Sequence, residues 1–102
     1  MRKITQDAIV AFCNGKNFKR GNTQVIVKSR MIGTERWLKL HGNTIAHLIN
    51  GEFIICDGGW QSNTTKERLN GFPNVDIRQV SYRWYLNGEH WDGSNKVVKL
   101  EL

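Results

Sequence analysis

The sequence predicts an α+β protein, an antiparallel β-sheet built from a meander and a C-terminal hairpin, with two short helices. Two-residue turn signals, Asn50-Gly51 and Asn87-Gly88, each separate apolar runs and are typical of β-hairpins. Helical signals lie near the N-terminus and near residue 65. The predicted order is α-β-β-β-(β)-α-β-β-β. A length of 102 residues, 39% of them hydrophobic, indicates a single domain over 1–102.

The first helix is predicted over residues 5–14. Thr5 suits the N-cap position, and Gly15 suits the residue that follows the last turn. An apolar stripe with helical spacing is formed by Ala8, Ile9, Phe12 and Cys13. The polar segment 16–23 is expected to be a loop, and Val25–Val27 to begin the sheet.

Turn chemistry predicts the register of the meander. Gly42-Asn43 suits a type II′ turn and Asn50-Gly51 suits a type I′ turn. Counting from these turns places Leu38 opposite His47, and His47 opposite Ile54, on one face of the sheet. The same count places Trp37 on the other face, together with Leu48 and Phe53. Both faces are partly apolar, so we expect other elements to cover much of each.

The second helix is predicted over about Thr65–Asn70. Thr64 and Glu67 have the spacing of a capping box, and Gly71 is a natural stop. Trp60 lies just before this helix and is expected to anchor the helix on the sheet.

The C-terminal part is predicted to be a hairpin with flanking strands. The turn at Asn87-Gly88 places Trp84 opposite Trp91, and burial of this pair is favoured in so small a chain. A strand is expected within residues 75–80. The last strand is expected over residues 97–102, where one face carries Val98, Leu100 and Leu102.

Three segments of the chain resemble small uncharacterised accessory proteins of tailed bacteriophages. They are LHGNTIA at residues 40–46, GWQSNTTKERLN at 59–70 and YLNGEHWDG at 85–93. The resemblance implies a phage accessory protein that works in the bacterial cytoplasm. It carries over no catalytic residue.

No catalytic or metal-binding constellation stands out in the sequence, so we expect a protein that is not an enzyme and has no cofactor. Its three histidines, His41, His47 and His90, lack the spacing of metal ligands. His41 and Asp57 would meet across Thr44, and we interpret this pair as a surface hydrogen bond rather than an acid–base pair.

The two cysteines, Cys13 and Cys56, are too few for a disulfide framework. Reduced thiols within the core are favoured over a bridge, because a phage accessory protein is expected in a reducing compartment. No apolar run approaches the roughly 18–20 residues that span a bilayer.

The net charge of +6 is unevenly distributed and gives the functional hypothesis. Residues 1–40 carry nine basic and two acidic residues, whereas residues 41–102 carry six basic and seven acidic ones. A basic segment attracts phosphates and gains affinity by releasing counterions. We therefore predict nucleic-acid binding, DNA or RNA, with Phe18 as a stacking residue and phosphate contacts from Lys16, Lys19, Arg20, Lys28, Arg30 and Lys39.

The alternative function is a phage inhibitor that binds a host protein, such as a defence nuclease or a polymerase. Exposed aromatic residues and arginines would form its hot spots, namely Arg83, Trp84 and Trp91. A third possibility is a virion or assembly component that self-associates. The sequence leaves a monomer and a homodimer equally open.

Overall fold

The computed structural model describes residues 2–100 and confirms the α+β class, with a helix, a meander, a second helix and a C-terminal hairpin in that order. The two helices are α1 (Lys3–Cys13) and α2 (Asn63–Leu69). A six-stranded antiparallel sheet has the order β1-β2-β3-β4-β5-β9. Its strands are β1 (Phe18–Arg20), β2 (Thr23–Ser29), β3 (Thr34–Leu40), β4 (Asn43–Ile49), β5 (Glu52–Ile55) and β9 (Lys96–Val98). A three-stranded sheet contains β6 (Ile77–Val80), β7 (Arg83–Leu86) and β8 (Glu89–His90).

Helix α1 begins earlier than predicted, and Thr5 is not its N-cap. Arg2 occupies that position without a side-chain cap, while Thr5 is buried inside the helix. The C-terminal end is held by Arg36, whose Nη1 donates to the carbonyl oxygens of Phe12 and Cys13, each at 2.9 Å. A cation at this end also complements the helix dipole. Strand β1 lies within residues 16–23, the segment predicted to be a loop.

Helix α2 also begins earlier than predicted, because Ser62 and not Thr64 caps it. The Ser62 Oγ accepts a hydrogen bond from the backbone N–H of Thr65 at 3.1 Å. Glu67 does not complete a capping box. Its carboxylate contacts Thr5 and Arg68 instead.

One hairpin register of the meander is confirmed and the other is wrong. Asn50-Gly51 joins β4 to β5 with His47 opposite Ile54, as counted. The β3–β4 turn lies one residue earlier than predicted, at His41-Gly42, where both residues have positive φ. A bulge then shifts the pairing between Leu38 and Lys39. Trp37 therefore lies opposite His47, not on the face of Leu48 and Phe53.

The core lies on one face of the six-stranded sheet only. There α1, α2 and the small sheet share a single hydrophobic cluster with the sheet residues Val25, Leu38, Ala46, Phe53 and Ile55. At its centre the rings of Phe12, Phe53 and Phe72 contact one another, with centroids 4.9–5.9 Å apart. The expectation that both faces would be largely covered is wrong, and the opposite face stays accessible to solvent.

The C-terminal hairpin forms as predicted around Asn87-Gly88. Trp84 and Trp91 are buried and their ring centroids lie 6.0 Å apart. Strand β9 pairs antiparallel with β5, and Val98 and Leu100 both pack against the core. Leu102 lies outside the described residues.

Trp60 does not anchor α2 on the sheet. Its side chain is 74% exposed. The docking of α2 relies instead on Leu69, which is fully buried, and on Arg68, which is only 2% exposed. Arg68 donates to the hydroxyls of Thr23 at 3.0 Å and Thr5 at 2.8 Å, and it pairs with the carboxylate of Glu67.

Both cysteines are free and half-buried, and Cys13 packs against the core, whereas Cys56 is not among the residues of the hydrophobic cluster, so its predicted place in the core is wrong. Burial raises the pKa of the Cys13 thiol and that of the Cys56 thiol above their ordinary value. Such thiols are poor nucleophiles. Cys56 donates to the carbonyl oxygen of Thr44 at 3.2 Å.

Candidate nucleic-acid interface

The accessible face of the six-stranded sheet presents a row of large side chains. Because directly paired residues point to the same side of a sheet, one row runs across five strands. Its members are Ile26, Trp37, His47, Ile54 and Val97. All are half-buried or exposed, while the neighbouring row through Val25, Leu38, Ala46 and Ile55 is buried. We call the outward side the open face.

An aromatic platform lies at the centre of the open face. The ring of Trp37 stacks on the imidazole of His47, with centroids 5.3 Å apart and an interplanar angle of 16°. The Nζ of Lys28 lies 5.8 Å from the centroid of the Trp37 ring. These two contacts limit the motion of the indole, and the Trp37 side chain is only half-buried, so part of the ring stays open for stacking with a planar ligand.

His47 is itself held in place by a carboxylate. Its Nε2 lies 2.7 Å from Oε2 of Glu35, and Oε1 of Glu35 accepts hydrogen bonds from the guanidinium of Arg30. Burial raises the pKa of the Glu35 carboxyl, but the hydrogen bonds from His47 and Arg30 outweigh it and hold this pKa below its ordinary value. The ionised carboxylate therefore fixes both partners at the edge of the platform.

Four of the seven residues predicted to bind nucleic acid surround this platform. Lys19 and Lys39 both pair with Gln24, and Lys28 pairs with Glu35, so the register places these three lysines on the open face. Arg30 lies at the β2–β3 turn and is held to the face through Glu35. Lysines beside an aromatic platform are the combination that single-stranded nucleic acids require.

The other three predicted residues do not join the open face. Lys16 is exposed in the loop between α1 and β1. Phe18 lies on the core side, packs against the hydrophobic cluster and has the guanidinium carbon of Arg20 5.1 Å from its ring centroid. Arg20 pairs with Asp7 at 2.8 Å. The accessible aromatic side chain beside the lysines is thus Trp37 rather than Phe18.

The residues of the alternative partner-binding site are also divided. Arg83 is exposed, whereas Trp84 and Trp91 are buried side by side. The indole N–H of Trp91 donates to the carbonyl oxygen of Ser94 at 2.9 Å, as expected of a buried tryptophan. These two rings stabilise the fold and are not presented to a partner.

The histidine–aspartate pair suggested by the sequence does not form among the described hydrogen bonds. Nε2 of His41 lies 3.4 Å from the side-chain amide of Asn22, and the Asp57 carboxylate accepts from the N–H of Gly59. Within residues 2–100 no cluster of three or more His, Cys, Asp or Glu side chains has the geometry to hold a metal ion. No helix in that range is long and apolar enough to cross a membrane.

Sequence reasoning missed Trp37 and His47 as functional candidates. The error in the β3–β4 register had placed them on opposite faces. A signal was nevertheless present, because Trp37 and Lys39 alternate along one strand, which puts an aromatic ring and a cation on the same side.

The fold and this face define a small α+β protein whose antiparallel sheet is covered on one side and presents an aromatic and basic surface on the other. Residues 1–99 match the family model described as Kyanoviridae Gp96 protein, and the chain belongs to this family of phage proteins. No curated protein and no solved structure matches the chain.

Proposed function

We propose that this phage protein is a non-enzymatic binding protein that holds single-stranded nucleic acid on its open face, in the cytoplasm of the infected bacterium. The observation that carries the proposal is the half-buried Trp37 ring on the open face, stacked on His47 and flanked by Lys28 and Lys39. Bases of a single strand are free to stack on an indole, whereas those of a duplex are already stacked on one another. The lysines supply phosphate contacts that do not depend on sequence.

The charge on the open face favours a polyanion. Three lysines, Lys19, Lys28 and Lys39, have side chains on this face, and the Glu35 carboxylate is already paired with the guanidinium of Arg30. Between Lys28 and Lys39 the register places Ile26 and Trp37, an apolar and an aromatic side chain that bases could contact while the lysines contact phosphates. A mainly apolar protein partner would leave these lysines desolvated and unpaired.

Fluorescence anisotropy with labelled single-stranded and duplex oligonucleotides tests the proposal. We expect the single strand to bind more tightly. The logarithm of its association constant should fall with the logarithm of salt concentration with a slope of about −2, the value for three phosphates on a single strand. Absence of binding at low salt, or a preference for duplex, would overturn the proposal.

A pair of tryptophan variants locates the site. Trp37→Ala should weaken single-strand binding about 5- to 150-fold, because stacking of one base on an aromatic ring contributes about 1–3 kcal/mol. Trp60→Ala is the matched control, since Trp60 is exposed but lies off the open face. Equal losses in the two variants would contradict the assignment.

A lysine variant tests the same site without removing a large ring, so that a loss of binding in Trp37→Ala can be told apart from a loss of folding. Lys28→Gln changes an exposed side chain and removes only its contact with the Trp37 ring, so we expect the chain to stay folded with a small fall in melting temperature. We expect it to make the salt slope shallower by about 0.7, the contribution of one phosphate. An unaltered slope would show that Lys28 does not contact the strand.

A further inference from the structure

A cleft of about 420 Å³ lies at the turn end of β3 and β4, off the open face. Its floor is apolar and includes Leu40 and Ile45, its rim carries His41 and Asp57, and one wall is the exposed indole of Trp60. The volume falls within the range of small-ligand sites. Nothing in the nucleic-acid proposal uses this cleft.

Backbone geometry and hydrogen bonds place Trp60 beside the cleft. Gly58 and Gly59 have φ of +68° and +90°, and a Cβ on Gly58 would lie 3.1 Å from Cγ2 of Ile45. The Trp60 N–H donates to the carbonyl oxygen of Asp57 at 3.2 Å, and its own carbonyl oxygen accepts from the Thr65 hydroxyl at 3.4 Å. The backbone thus presents a large apolar ring to water at the edge of the cleft, and a ligand that covers this ring would gain free energy by burying its surface.

The electrostatics of the cleft select the ligand. Of the described residues that line it, Asp57 supplies the one carboxylate and none is a lysine or an arginine, in a chain whose net charge is +6. Its carboxylate is fixed, because Oδ1 accepts from the Gly59 N–H at 2.7 Å and the Asp57 N–H donates to Gly93 at 2.8 Å. A Cβ on Gly93 would collide with this carboxylate, so the two residues are in direct contact. A phosphate would meet a negative charge here.

We propose that the cleft binds a cationic side chain, in the first place the guanidinium of an arginine, from a protein partner. A planar guanidinium stacks on an indole face through a cation–π contact and presents N–H donors at its edge to a carboxylate. Trp60 and Asp57 supply these two groups at the same cleft. The apolar floor accommodates the aliphatic stem of the side chain.

A nuclear magnetic resonance titration of the full chain tests this site with small probes. Nα-acetyl-arginine amide should shift the indole N–H resonance of Trp60 in a saturable manner, whereas the neutral isostere Nα-acetyl-citrulline amide should not. Asp57→Asn should weaken the arginine response about tenfold, the loss expected when a charge-assisted hydrogen bond becomes a neutral one. The asparagine oxygen still accepts from Gly59, which preserves the turn.

Asp92→Asn is the matched control. Asp92 is exposed and holds the Ser94 N–H at 3.0 Å in a comparable turn, but it does not line the cleft. We expect its titration to match that of the unaltered chain. Equal shifts with citrulline, a stronger response to adenosine, or no response to arginine would each overturn the proposal.

Discussion

Replacing Arg68 with methionine should cost about 3 kcal/mol of the free energy of unfolding. Methionine keeps the unbranched stem that packs beneath α2 but removes every donor. The Thr5 and Thr23 hydroxyls, both buried, lose their guanidinium partner, and Glu67 loses its ion pair. Breaking a buried ion pair costs about 3–5 kcal/mol. We take the lower end because the Glu67 side chain is 26% exposed and regains water.

Urea denaturation followed by tryptophan fluorescence measures this loss, since the buried Trp84 and Trp91 report on unfolding. Arg78→Met is the matched control, because Arg78 pairs with Asp76 while its side chain is 77% exposed. We expect that variant to stay within about 0.5 kcal/mol of the unaltered chain.

Two outcomes would refute the reasoning about Arg68. One is a methionine variant within about 1 kcal/mol of the unaltered chain, which would mean that apolar packing replaces the ion pair at little cost. The other concerns the double variant with Glu67→Gln, which removes the stranded carboxylate. We expect it to recover part of the loss, and no recovery would show that the charge of Glu67 is irrelevant.

Three further predictions concern the pH response, the N-cap of α2 and one turn. The pKa of Glu35 is below its ordinary value of 4.5, so its contribution to stability is complete above that pH and is lost as the pH falls through the lower folded value. Glu35→Gln should therefore flatten the acid side of a plot of melting temperature against pH, and an unchanged profile would contradict the role of the contact with His47. Ser62→Ala should lower the free energy of unfolding by about 1 kcal/mol through loss of the bond to Thr65, whereas Ser62→Asp should retain it, as urea denaturation would show. Tyr82 is exposed with a φ of +67°, and Tyr82→Gly should stabilise the chain by about 0.5–1 kcal/mol in the same assay, whereas a loss would reveal a stabilising contact of the ring.

Turn chemistry explains how far the fold was predictable. Asn50-Gly51 and Asn87-Gly88 combine two residues that accept positive φ, so their position fixes the strands on either side. His41-Gly42 was missed because histidine adopts this conformation less often than asparagine, and the glycine was assigned to the first turn position instead of the second. The bulge after Leu38 has no local sequence signature.

The candidate site was predictable in its charge but not in its aromatic part. All three lysines follow from counting basic residues, and strand alternation places Lys28 and Lys39, whereas Lys19 lies on β1, in a segment that the sequence predicts as a loop. Recognition of the Trp37–His47 stack required the pairing across two strands, which the bulge decides. The exposure of Trp60 likewise depends on the path of Gly58 and Gly59, and apolar character alone suggested a buried anchor.

The position of β9 has a consequence for how the chain is made. β9 forms the last strand of the large sheet by pairing with β5, although α2 and the whole small sheet lie between them in sequence. Strands β1 to β5 are joined by short hairpins and are able to assemble early during synthesis, but the edge of β5 stays unpaired until β9 has been synthesised, after α2 and the small sheet. Until then an apolar strand edge is exposed on the nascent chain, so truncation before Lys96 should yield a product prone to aggregation.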